Sequence, residues 1–210
     1  MAKSETRARD AEATKARILA AAKSEFARLG LGGARVDQIA QKAHANKRMI
    51  YHYFGSKEDL FQTVLEEAYL NVSHVQQELE LEGIPAEAAL EKLVRLTWQY
   101  YLDNPEFITL INSANLHRAR HLEGSERLRA ASRDFISTIN GILDRGVGEG
   151  VFRPGVDPVQ LNITITAIAY YYLTNRFTAS ILFERDLMTT EALDERLAFN
   201  IDTVMRIVKA

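Results

Sequence analysis

Apolar positions recur every three or four residues along nearly the whole 210-residue chain, helical periodicity dominates, and no convincing strand emerges. Ile18, Ala22, Phe26 and Leu29 share one face of a helix near 12–29, and Val36, Ile39, Ala40 and Ala43 mark a second near 36–43. A short helix follows near 47–54. From Ser56 to about residue 81, Phe61, Val64, Leu65, Ala68, Val72, Val75 and Leu79 stay in register. Such a helix should be about 35–40 Å long at its usual rise, long enough to join two domains. Ser56 can cap it, with Asp59 three residues on as a weaker form of the capping box. Later helices are expected near 86–103, 105–120, 125–148, 158–183 and 190–209, about nine in all. Pro85, Pro105 and Pro158 sit near their starts, where a missing N–H is harmless, and Asn104 and Asp157 precede two of them as N-caps. The pattern predicts an all-α protein. Residues 1–10 are expected as an unstructured basic arm.

Composition narrows the function. There is no cysteine, which removes disulfides and thiolate chemistry. No apolar run approaches the roughly 18–20 residues that span a bilayer, and the polar start does not resemble a secretory signal, so a cytoplasmic protein with no membrane partner is expected. The net charge of −2 conceals an asymmetry. Residues 1–57 carry twelve Lys and Arg against five Asp and Glu, a net of +7, and the remainder carries a net of −9. A basic head on an acidic body points to a polyanionic partner for the head alone.

Within that head, His44-Ala45-Asn46 joins two short helices at the spacing of a helix-turn-helix. Asn46 is a good N-cap for the second. Ile50 and Phe54 point inward, whereas Lys47, Arg48, Tyr51 and His52 share the opposite face with no acid among them. A helix bearing such a face fits the major groove of double-stranded DNA. Lys57, in the first turn of the next helix, is within reach of a phosphate.

The segment R-I-L-A-A-A…F-A-R-L-G…V-D-Q-I-A-Q-K-A…N-K-R-M-I-Y-H-Y-F-G-S-K-E-D-L-F, residues 17–61, closely resembles the DNA-binding domain of TetR-type regulators. The resemblance implies a homodimer on a near-palindromic operator, a C-terminal pocket for a small-molecule effector, and a dimer bundle of the last two helices. By motif position it implies DNA contacts at Arg35, Gln38, Lys47, Arg48, Tyr51, His52, Tyr53 and Lys57. Tyr51, Tyr53 and Lys57 would meet phosphates, and Lys47 and Arg48 bases. Two positions depart from the pattern. The usual Ala-Gly-Val-Ser turn is Ala43-His44-Ala45-Asn46, which puts His where Gly serves a positive φ. Arg35 replaces a common Thr or Ser. The expected division is a head of residues 1–57 and a ligand-binding and dimerisation body of 58–210.

In the body, Leu161, Ile163, Ile165, Ala167, Ile168, Tyr170, Tyr171, Tyr172 and Leu173 leave the 158–183 helix little polar face. A helix apolar all round must be covered on two sides, one of them by a partner chain. Leu193, Leu197, Ile201, Val204, Met205 and Val208 of the last helix complete a four-helix interface between two copies. For the effector, Asn112, Asn115, His117 and Asn175 stand among apolar residues, with Trp98, Tyr101 and Tyr171 as aromatic walls suited to a flat ligand. His117 and His121 are four apart, but no third ligand accompanies them and Arg118 and Arg120 disfavour a cation, so no metal is expected. No cofactor is expected either. The sequence holds no nucleophile elbow, phosphate loop or HExxH helix, which speaks against an enzyme. A DNA-binding regulator controlled by a protein partner remains the alternative.

Overall fold

The computed structural model describes residues 2–210, with side chains from residue 9 onward. Among them are ten α-helices, one 3-10 turn and no strand. The helices are α1 (Ala2–Gly33), α2 (Val36–Lys42), α3 (Lys47–Phe54), α4 (Lys57–Gln77), α5 (Ala86–Asp103), α6 (Pro105–Leu116), α7 (Glu126–Gly148), α8 (Pro158–Thr174), α9 (Arg176–Leu182) and α10 (Thr190–Val208).

The all-α expectation holds, with corrections at several ends. The expected arm of residues 1–10 falls partly outside the described residues at Met1, and from Ala2 its backbone is helical, as a stretch rich in Ala, Glu, Lys and Arg favours. The long helix α4 ends at Gln77 rather than near 81, so it measures about 32 Å. Ahead of α6, the Asn104 amide donates back to the Tyr100 carbonyl at 2.9 Å, and the Phe107 N–H donates to the Asn104 backbone carbonyl at 2.9 Å. The expected helix over 158–183 breaks into two, which raises the number above nine. At Asn175 (φ −98°, ψ 7°) the side-chain amide donates to the Tyr171 carbonyl at 2.9 Å, and this local bond competes with helix continuation.

The chain forms two compact units, Met1–Tyr69 with Thr109–Leu128, and Leu70–Ile108 with Arg129–Ala210. The first therefore runs past residue 57. The Phe61 ring lies edge-on to Phe26 with centroids 5.0 Å apart, which anchors the start of α4 in this unit. Gly30 interrupts α1 at φ 66° and ψ 178°, a conformation open to glycine. The next peptide then donates from the Leu31 N–H to the Ser113 hydroxyl at 3.2 Å.

In the second unit, α5 packs against α8 and α10. Its core includes Leu90, Leu93, Ile142, Phe152, Ile165 and Val204. Gly146 is fixed by packing, because a Cβ there would lie 2.0 Å from the Phe152 ring. Phe152 also forms an antiparallel bridge with Lys209, and the Arg153 N–H donates to the Val208 carbonyl at 2.8 Å. The C-terminus is thereby tied to the loop after α7.

Candidate nucleic-acid interface

The turn between α2 and α3 is built from local chemistry. His44 adopts φ 48°, so it takes the positive-φ position that the sequence assigned to it. Asn46 caps α3, its side chain accepting from the Arg48 N–H at 2.9 Å. Arg17 of α1 donates to the Ala43 carbonyl at 3.3 Å and holds the turn from outside. Gly55 ends α3 at φ 83°. Ser56 and Asp59 then form the expected reciprocal cap: the Asp59 N–H donates to the Ser56 hydroxyl and the Ser56 N–H to the Asp59 carboxylate, both at 3.0 Å.

Two faces of α3 separate as expected. Ile50 and Phe54 are buried, while Lys47, Arg48, Tyr51 and His52 are exposed. Tyr53 is half-buried, with its ring 5.3 Å from that of His52. Arg35 stands at the N-cap position of α2 in extended conformation, with no side-chain capping bond, and Gln38 is exposed one turn on. Lys57 is half-buried and donates to the Ala34 carbonyl at 2.9 Å, which pins its ammonium beside the start of α2.

Two of the unit's basic residues are engaged by a buried acid. Glu25 is out of water and lies 2.7 Å from the Lys42 ammonium and 3.3 Å from the Arg28 guanidinium. The hydrogen bond from Lys42 holds the Glu25 carboxyl below its ordinary range despite the opposing cost of burial. Asp37 is the residue that sequence reasoning missed. It projects from the first turn of α2 to within 2.8 Å of the Lys47 ammonium, on the face where no acid was expected. That bond lowers the Asp37 carboxyl and raises the Lys47 ammonium from their usual ranges. Asp37 lies on a different helix, ten positions before Lys47, so the periodicity of α3 carries no sign of it.

The residues expected around an effector do not share one unit. Asn112, Asn115 and His117 belong to the first, and Trp98, Tyr101, Tyr171 and Asn175 to the second. Tyr101, with Val72, Val75, Leu96, Tyr100 and Thr166, lines a cavity of about 30 Å³. Trp98 is buried, its ring 5.6 Å from that of Tyr172. The Asn115 and Asn175 amides each bond a carbonyl one turn back, at 3.1 and 2.9 Å, and Tyr171 is 64% exposed. A wider cavity of about 250 Å³ lies among Tyr172, Arg185, Leu187, Glu195, Arg196 and Phe199. The His117 and His121 rings are 6.3 Å apart, with His117 Nδ1 2.8 Å from the Ser113 carbonyl, and among the described residues no three His, Asp or Glu gather as a metal site. No described helix is long and apolar enough to cross a membrane.

Residues 18–64 match the family described as bacterial regulatory proteins, tetR family, and residues 85–204 match the tetracyclin repressor-like C-terminal domain. The chain is 37% identical over 204 residues to the HTH-type transcriptional repressor NicS of Pseudomonas putida, covering 97% of this chain and 96% of that one. It is 28% identical to the HTH-type transcriptional regulator RutR of Escherichia coli K12, covering 96% and 92%. Among solved structures, a transcriptional regulator of Streptomyces coelicolor superposes with a TM-score of 0.69 at 30% identity, covering 93% and 98%.

Proposed function

The chain belongs to the TetR family of bacterial regulatory proteins, and from that membership we propose that it is a ligand-responsive repressor that binds a near-palindromic operator as a homodimer. The observation that carries this reading is the division of α3, with Ile50 and Phe54 buried and Lys47, Arg48, Tyr51 and His52 turned to solvent. Arg48 reads a base edge, and so does Lys47. Tyr51, Tyr53 and Lys57 position the helix on phosphates, with Arg35, Gln38 and His52 at the margins of the contact. The DNA-binding part spans residues 1–57 and the regulatory part 58–210.

The dimer forms through α8 and α10, continued by α9. Ile163 and Tyr171 of α8, Phe177 and Ile181 of α9 and Phe199 of α10 are each more than half exposed in the single chain, an apolar surface that supports a second copy there. Dimerisation sets two recognition helices about 34–36 Å apart, one helical turn of DNA. The effector enters around Trp98 and Tyr101. Tyr171 and Asn175 of the same unit are the remaining candidates for contact there, Asn175 ranked lower because its amide already bonds its own helix, while Asn112, Asn115 and His117 belong to the first unit and are separate candidates. A drug-sized ligand needs roughly 300–1,000 Å³, so the cavity of about 30 Å³ beside Tyr101 must widen to admit one. Val72 and Val75 of α4 line it, and the same helix begins at Lys57, so widening is coupled to the head through one continuous helix. The smallness of this cavity also favours a second reading, release by a protein partner.

Selection of bound sequences from a random duplex pool tests the proposal. Enrichment of a palindrome with half-sites about one helical turn apart is the expected result. Steep salt dependence without enrichment would leave electrostatic attachment only. A metabolite screen for release from the enriched duplex then separates a small effector from a protein partner.

A further inference from the structure

We infer that Asp37 sets how sharply this regulator distinguishes its operator from other DNA, by holding the Lys47 ammonium away from phosphates and aiming it at base edges. The inference rests on the DNA-binding reading above and adds a residue to it.

Lys47 and Arg48 open the recognition helix, yet the two cations are in different situations. Arg48 is exposed, and among the described residues its side chain makes no ion pair. Lys47 is held at 2.8 Å by a carboxylate from another helix. Both members of that pair are well exposed, 46% for Lys47 and 59% for Asp37, so the pair faces solvent where DNA would dock and does not fill the interior. It therefore adds little to folding, as exposed ion pairs generally do. Its effect falls on the interface. Arg35 is also near enough to act on both members, so Asp37 is an acid acted on by two cations, Lys47 and Arg35.

On arbitrary DNA the groups offered everywhere are phosphates, and each cation free to neutralise one adds to non-specific affinity. A Lys47 already neutralised by Asp37 contributes less to that term. The ammonium has three hydrogens, and Asp37 takes one. The other two remain for a pair of acceptors such as the O6 and N7 of guanine, which a correct site presents at one place in the major groove. Asp37 thus lowers binding to wrong DNA more than to right DNA, which is how discrimination is built by repulsion as well as attraction.

The test uses the full-length protein with Asp37→Asn, which keeps the shape and removes the charge, and Lys47→Met alone and combined with it. Affinities are measured for the enriched duplex and for a scrambled duplex over a salt series, with melting curves confirming folded protein. Asp37→Asn is expected to tighten binding to scrambled DNA by about two- to fivefold per head, and to steepen the dependence of log K on log salt by about one unit per head. The gain on the enriched duplex is smaller, so the ratio of the two affinities falls. In the Lys47→Met background the gain disappears. An unchanged salt slope with an unchanged ratio would overturn the inference, and so would weaker binding of Asp37→Asn to both duplexes. Wild-type protein that enriches no sequence would instead overturn the regulator reading and this inference with it.

Discussion

The head and the body differ in what their polar groups do. In the head, polar side chains around the turn have partners in the same chain: Asn46 caps α3, Ser56 and Asp59 cap each other's ends, and Glu25 holds Lys42. In the body, both amide atoms of Asn200 and the Arg196 Nε are buried without a hydrogen-bond partner among the described residues. Phe177, Ile181, Leu182 and Phe183 stand more than two-thirds exposed. The turn of the head is closed by its own hydrogen bonds, although among the described residues the His121 Nε2 of the same unit is also buried without one. A body that leaves apolar surface open depends on something more, and the proposed partner copy supplies it. The contrast is between a region specified by local chemistry and one specified by packing and assembly.

Removing Phe152 strikes the packed side of that contrast hardest. Its ring is 2% exposed and fills the space above Gly146. Phe152→Ala is expected to cost about 3–5 kcal/mol of unfolding free energy by urea titration. Gly146→Ala forces a Cβ into the same ring and should cost about 1–3 kcal/mol. DNA affinity per folded molecule should not change in either variant. A loss of affinity as large as the loss of stability would mean that the body shapes the head directly, and the comparison would fail.

Arg48→Ala reverses the test. Its side chain is exposed, so the melting temperature should hold. Affinity for the enriched duplex should drop by roughly 5- to 150-fold, the range of one base contact, with relaxed preference at one position of each half-site. A uniform loss on all sequences would reassign Arg48 to a phosphate.

The head was also the part most legible in the sequence, for a reason visible residue by residue. Capping, the i, i+4 spacing of Ile50 and Phe54, and the positive φ of His44 depend on neighbours within a few positions. The long-range features were not legible in that way. Gly146 and Phe152 meet across a turn that periodicity does not describe, and Asp37 reaches Lys47 from a different helix. Asn175 looked like a polar group inside a long apolar helix, when its amide ends that helix at the Tyr171 carbonyl. The Asn115 amide likewise bonds a carbonyl of its own helix. An isolated amide in an apolar stretch signals a ligand only if its own backbone does not satisfy it, and sequence does not report that.

Glu25 offers a pH test of the polar side. Its carboxyl is held below the ordinary value near 4.5, so the stability it contributes is complete above that value and is lost as pH falls through its folded-state value. Glu25→Gln should cost about 2 kcal/mol at neutral pH, as loss of hydrogen bonds to a charged group does. The gap from wild type should narrow progressively below about pH 4.5. A gap that stayed constant to pH 3 would mean that Glu25 acts by shape and not by charge.

The smallest expected effect lies at His44, where the family's turn pattern would place glycine. At φ 48° the side chain costs about 1 kcal/mol against a residue without Cβ, and glycine returns part of that as added freedom of the unfolded chain. His44→Gly should therefore raise stability by about 0.5 kcal/mol, read as a shift of the denaturant midpoint at constant slope. Alanine keeps the strained Cβ and loses the tolerance that His has for this conformation, so His44→Ala should fall below wild type. The two substitutions diverge in sign only if backbone strain decides the outcome. If both lowered stability equally, the imidazole itself would be holding the turn, and the head would rely on side-chain packing as the body does.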